Sequence, residues 1–282
     1  MSEIAGVKSN REKRMKIVRF LDDSDRERLG VMTSDHAARL VDGDIWANFT
    51  VTDETAVIKK LLAPIVARNI LCIGLNYKQH AAETGAKIPE YPILFMKSLA
   101  ALQNPNDPIV IPRIEPLQVD YECELAVIIG KTAKDVSRDV ALDYVLGYTC
   151  ANDVSGRNWQ KAKGGGQWCR GKSFDTFCPL GPYLVTADEV PDPNNLRIKT
   201  ILNGDVMQDS TTADMIFDVR ELVCFLSQGT TLLPGTVILT GTPPGVGFAR
   251  KPPIFLKHGD EVVIEIEGIG RLCNPVRQAK DS

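Results

Sequence analysis

The chain has 282 residues, enough for one large domain or a large domain with a small companion. Its 44% hydrophobic and 24% charged content is that of a soluble globular chain, and a net charge of −3 without a basic block argues against nucleic acid or an anionic membrane as partner. No apolar run approaches the ~20 residues of a spanning helix.

Residues 1–16 are polar and carry Glu3 and Glu12, which fits neither a secretory signal nor a transit peptide well. Residues 1–14 are expected to form a disordered leader. Residues 15–66 hold short alternating segments at 16–20, 28–32, 38–41 and 44–46, with Asp42-Gly43 as a hairpin signal between the last two. They predict a small β-rich N-terminal unit. Residues 55–62 read as a short helix stopped by Pro64.

From residue 69 strand-like runs recur at 70–74, 92–96, 119–129, 183–186, 196–202, 236–240 and 260–266. Helices are expected at 140–146 and at 214–228, the latter from Ile216, Val219, Leu222, Val223 and Leu226 at helical spacing before Gly229. Strands outnumber helices and do not alternate with them. The expectation is an α+β fold on a mixed, rolled or barrel-like sheet rather than a doubly wound one.

The run 119–129 is β-branched, bounded by Gly130, and reads as one strand. Val119, Tyr121, Cys123, Leu125, Val127 and Ile129 share one face, read as the core face. Asp120, Glu122 and Glu124 share the other. Two carboxylates side by side on an anchored strand repel unless a cation sits between them, so a metal site is weighed here against a solvated edge.

Gly166 to Ser173 fits G-x-x-x-x-G-K-[ST], the phosphate-loop pattern. Such a loop needs a buried strand before it and a helix after it. Polar, Gly-rich residues precede this match and Phe-, Pro- and Gly-containing residues follow it, so nucleotide binding is not expected.

Of three histidines, His36 and His258 sit in turn-like surroundings and read as surface residues. His80 and Glu83 would share a face at i, i+3 if residues 76–83 are helical. That pairing makes either a general base or a surface ion pair. Asp153 is a possible third carboxylate or a turn residue. The Gly/Pro loop at 240–247 could present amides to an anion or be a tight turn. Seven scattered cysteines without a C-x-x-C pair point to a reducing compartment and against a cysteine zinc site. The cytoplasm is expected, with the mitochondrion left open.

Over residues 69–275 the chain resembles the fumarylacetoacetate hydrolase superfamily. The resemblance rests on Asn76-Tyr77 through Glu83 with H-x-x-E, Asp120-Tyr121-Glu122-x-Glu124-Leu125-Ala126, and Asn152-Asp153-Val154-Ser155-x-Arg157. It continues in Gly171-Lys172-Ser173-Phe174-Asp175, in Asn203-Gly204 with Gln208, in Met215-Ile216-Phe217, and in Thr240-Gly241-Thr242-Pro243-x-Gly245-Val246-Gly247. It implies a catalytic domain over 67–282 and a mixed β-roll, homodimeric in most members. It implies a divalent metal, Mg²⁺ or Mn²⁺, on Glu122, Glu124 and Asp153, with His80, Glu83 and Lys172 as catalytic residues. Tyr77, Arg157, Gln160 and Thr242 are the expected substrate contacts.

The resemblance is strongest to the smaller members, the acylpyruvate hydrolases, oxaloacetate decarboxylases and tautomerases. All three reactions pass through an enolate of a 2-oxo acid, a small molecule that oxygen-ligated metal can chelate. Hydrolysis of an acylpyruvate is placed first, with oxaloacetate decarboxylation or tautomerisation behind it. The non-enzyme alternative is a metal-stabilised binding protein.

Overall fold

Turn-forming residues cut the alternating N-terminal sequence every few positions, and the result is a meander of antiparallel strands. The computed structural model describes residues 15–280, so the expected leader lies outside the described residues. The meander is β1 (Lys16–Leu21), β2 (Glu27–Ser34), β3 (Ala37–Gly43) and β4 (Phe49–Val57), with β5 (Lys60–Leu62) against β1. Residues 55–62 are therefore extended, not helical. Thr55 and Val57 pair with Arg39 and Ala37, where β-branched side chains fit a pleated ladder. The hairpin turn also differs from expectation: Gly43 pairs with Phe49, and residues 44–48 make the turn.

The rest of the chain contributes β6 (Asn69–Gly74), α1 (Lys78–Thr84), β7 (Ile93–Lys97), β8 (Leu102–Gln103), β9 (Ile109–Ile111), β10 (Val119–Asp120), β11 (Cys123–Ile129), β12 (Val145–Asn152) and β13 (Ser155–Gly156). Two single-turn helices follow, α2 (Arg157–Gln160) and α3 (Cys169–Lys172), then β14 (Cys178–Thr186), β15 (Arg197–Leu202), β16 (Asp205–Thr211), α4 (Val219–Ser227), β17 (Thr236–Leu239), β18 (Glu261–Ile266) and β19 (Gly270–Gln278).

One long mixed sheet runs β4-β3-β2-β1-β14-β12-β11-β17-β6-β7. A second, β16-β15-β18-β19-β9, packs against β11, β12 and β14 and closes the main core. The fold is mostly β with few short helices, in open mixed sheets. Pairing of β1 with β14 makes the N-terminal strands continuous with the long sheet. Their outer face carries its own small core of Val18, Phe20, Ala38, Leu40 and Ile58.

Two helix expectations change in detail. Residues 138–144 form a 3₁₀ segment that hands over to β12 at Val145. The second helix starts at Val219, not 214, because Asp218 caps it by accepting the Glu221 N–H at 2.8 Å. The residues before it are held extended instead: Ile216 and Phe217 donate their N–H groups to Asn76, each at 2.8 Å.

The run 119–129 is not one strand with a single core face. Its ladder breaks at Tyr121-Glu122, between β10 and β11, and every residue from 119 to 130 is buried.

Candidate active site

The site lies where β11 and β12 run out. Their register pairs Cys123 with Asn152, so Glu122 and Asp153 are the first residues past that pair on each strand. The Asp153 N–H donates to the Glu122 carbonyl at 2.9 Å, and the Glu122 N–H donates to Asn152 Oδ1 at 3.0 Å. Glu124 follows two residues along β11. Carboxylate oxygens of Glu122, Glu124 and Asp153 all lie within 4.8 Å of one another, and all three residues are buried. We call this cluster the carboxylate pit.

Its members differ in charge balance. Burial raises the Glu122 pKa, but Lys172 and Arg157 outweigh it and hold the carboxyl at about 2. Lys172 Nζ donates to Glu122 Oε2 and to Asp153 Oδ2, each at 2.7 Å, and Arg157 reaches Glu122 Oε1 at 2.7 Å. Burial opposes the Lys172 charge, yet Asp153 and Glu122 lift its pKa to about 12. Lys97 pairs with the other Asp153 oxygen and donates to the Val154 carbonyl at 3.1 Å. Glu124 has no ion-pair partner among the described residues. It accepts one hydrogen bond, from the Gly241 N–H at 2.7 Å. Burial, then Asp153 and Glu122, push its pKa well above the carboxylate range. Crowded, incompletely balanced oxygen donors suit a hard divalent cation, so the triad could hold a metal ion.

The Gly/Pro loop does bind anions, and they are the chain's own. The amides of Gly241, Gly245, Gly247 and Phe248 donate to Glu124, Glu83 and, in the last two cases, Asp120, at 2.7–3.0 Å. Gly241 is obligatory: its φ is +96°, and a Cβ there would come within 2.7 Å of Asn76 Cβ. Asp120 completes a buried clamp on Arg157, at 2.9 Å from Nε and 2.8 Å from a terminal nitrogen.

His80 and Glu83 fall on α1, with His80 Nδ1 3.1 Å from Glu83 Oε2. Gly245 holds the other Glu83 oxygen at 2.9 Å. The three carboxylates, His80, Lys172, Arg157, Gln160 and Thr242 line one cavity of about 270 Å³. Glu83 stands behind His80. Tyr77 departs from expectation: it is fully buried in the core and does not line the cavity. Arg157 lines it, but with its guanidinium already engaged by Asp120, Glu122 and Gln160. His36 and His258 are exposed.

The phosphate-loop pattern dissolves in structure. No strand precedes it, and the helix over its end is the four-residue α3. Lys172 is committed to the carboxylates, and Gly171 serves close packing: a Cβ there would lie 2.3 Å from the Gln160 amide nitrogen. Sequence reasoning overlooked Lys97 and the clamp role of Asp120. The signal for Lys97 is phase. On β7 it shares the buried face with Phe95, while Leu94 and Met96 are exposed.

The family model described as fumarylacetoacetate (FAA) hydrolase C-terminal matches residues 69–277. The chain belongs to the fumarylacetoacetate hydrolase family. A second model, Rv2993c-like, N-terminal, matches residues 15–64. Oxaloacetate tautomerase fahd2, mitochondrial, of Xenopus laevis is 52% identical over 217 residues, covering 77% of this chain and 68% of that protein. Among solved structures, 2-hydroxyhepta-2,4-diene-1,7-dioate isomerase from Mycobacterium marinum is 39% identical with a TM-score of 0.81, covering 95% of this chain and all (100%) of that one. The 5-carboxymethyl-2-hydroxymuconate delta-isomerase from Mycobacterium smegmatis is also 39% identical, with a TM-score of 0.82 over 94% of this chain and 100% of that chain.

Proposed function

We propose that the chain interconverts the keto and enol forms of oxaloacetate, with Mg²⁺ or Mn²⁺ held by Glu122, Glu124 and Asp153. The observation that carries the reading is the His80–Glu83 pair on the wall of a cavity floored by three carboxylates. It gains support from relatives named for tautomerisation and isomerisation. Those names reverse the order expected from sequence, putting proton movement ahead of acylpyruvate hydrolysis and oxaloacetate decarboxylation.

A bound divalent cation would supply Lewis acidity toward the oxygens of the 2-oxo acid. Glu83 orients the His80 ring through Nδ1, which leaves Nε2 to take the proton from substrate C3 and return it. Lys172 sits where it can offset negative charge growing on the 2-oxo oxygen. Arg157, fixed by Asp120, keeps Glu122 aimed into the pit. Trp168 and Phe248 line the cavity and limit water.

The test follows enol-oxaloacetate absorbance together with coupled detection of pyruvate, in Mg²⁺ and after chelation, with acetylpyruvate in parallel. Enol loss without pyruvate, abolished by chelation, is expected. Pyruvate appearing in step with substrate loss would overturn the reading in favour of decarboxylation or hydrolysis.

The homodimer and the compartment belong to this proposal. Edge strand β7 exposes Ile93, Leu94 and Met96, with Leu99 beside them, an apolar edge that a second copy would cover. Sedimentation of the wild type and of Leu94→Glu tests it; a monomeric wild type sinks it. The cytoplasm is retained as the proposed compartment with the mitochondrion as rival, since the Xenopus relative is named mitochondrial. Fractionation of the expressing cell decides between them.

A further inference from the structure

Three cationic side chains line the cavity, and only two are taken. Arg157 is engaged by Asp120 and Glu122, and Lys172 by Glu122 and Asp153. Lys161 also lines the cavity and has no carboxylate partner among the described residues. Its ammonium lies 4.0 Å from the centre of the Phe248 ring, the same ring that Arg157 approaches at 4.4 Å. Its backbone N–H donates to the Arg157 carbonyl at 3.1 Å. The two side chains therefore rise from one face of a single helical turn. Burial of the ammonium, and then the Arg157 charge, lower the Lys161 pKa, while Asp120 pulls the other way. A cation stacked on an aromatic ring beside a second cation gains from an incoming anion.

We propose that Lys161 receives the carboxylate at the far end of the substrate, so that the cavity selects short 2-oxo dicarboxylates over 2-oxo monocarboxylates. The inference rests on the 2-oxo acid reading of the pit and names the feature that narrows it.

The test is calorimetric titration of the full chain in Mg²⁺ with two unreactive 2-hydroxy acids, malate and lactate, which differ by the second carboxylate. Wild type should bind malate about tenfold more tightly, the order of one charge-assisted hydrogen bond. Lys161→Met should erase that preference and Lys161→Arg should keep it. In parallel, kcat/KM for oxaloacetate should fall about tenfold in Lys161→Met, by the same reasoning. A wild type without the preference, one that binds neither acid, or a Lys161→Met variant that retains the preference, overturns the proposal. Binding and turnover also separate the two readings. A preference lost with Lys161 in a protein that leaves oxaloacetate untouched upholds Lys161 and removes the tautomerase. Turnover with an unchanged preference does the reverse.

Discussion

The N-terminal strands and the carboxylate pit use the same ion pairs in opposite settings. In the strands, Arg19–Glu27 at 2.6 Å, Lys59–Asp25 at 2.6 Å and Arg39–Asp53 at 2.9 Å reach carboxylates that stand in water. In the pit, Lys172, Lys97 and Arg157 meet carboxylates with almost no exposure. Exposed pairs are screened and contribute little. Buried pairs repay desolvation poorly, but neither partner can be removed alone without stranding a charge. These three pairs are therefore expendable, and those of the pit fix where each oxygen points.

That contrast can be broken at several strengths. The largest effect is expected on turnover. His80→Ala should slow oxaloacetate tautomerisation by about 10²–10⁴-fold, the usual range for a general base, with the melting temperature little changed. A rate within a factor of about two of wild type would return His80 to a structural role.

Next comes stability in the pit. Lys97→Met leaves Asp153 with one cation instead of two and should cost about 3–5 kcal/mol, read from urea midpoints. A loss below about 1 kcal/mol would mean that Lys172 alone balances Asp153 and that the pit pairs behave like surface pairs.

Glu124 sharpens the comparison by reversing its sign. With chelator present, Glu124→Gln removes a carboxyl whose ionisation the fold penalises and should raise the melting temperature by about 2–4 °C, the shift that 1 kcal/mol gives in a chain of this size. The same variant should weaken Mg²⁺ binding in calorimetry. A lower melting temperature would show that the Glu124 carboxyl stabilises the fold even without a cation.

The smallest effect belongs to the strands. Glu27→Gln should change stability by about 0–1 kcal/mol, checked by the same urea titrations, and should leave tautomerisation unchanged.

Much of this arrangement was legible before any coordinates. The apolar runs at 70–74 and 236–240 and the 123–129 part of the 119–129 run marked the centre of the long sheet, and Glu122 and Glu124 do converge, although Glu122 lies in the break between β10 and β11. Legibility ended where tertiary contacts override local pattern. Residues 214–217 continue a helical stripe, but Asn76 claims the Ile216 and Phe217 N–H groups and Asp218 caps the helix later. Residues 55–62 lack clean alternation because β4 is largely exposed on both faces. β16 and β19 were overlooked since DVMQDST and GRLCNPVRQ carry few consecutive apolar residues. Lys97 hides among apolar neighbours whose exposure inverts the usual rule. Lys161 is an ordinary surface lysine until Phe248, 87 positions further on, arrives beneath it.

The amides of Gly241, Gly245, Gly247 and Phe248 reach Glu124, Glu83 and Asp120 from the main chain of one loop. Their hydrogens exchange with solvent only when those bonds open, so deuterium uptake at these four positions times the opening of the site itself. Uptake there should slow when a cation fills the pit and hurry when any of the three carboxylates is removed. The backbone thus carries a clock for the integrity of the site, one that runs without substrate, product or colour change.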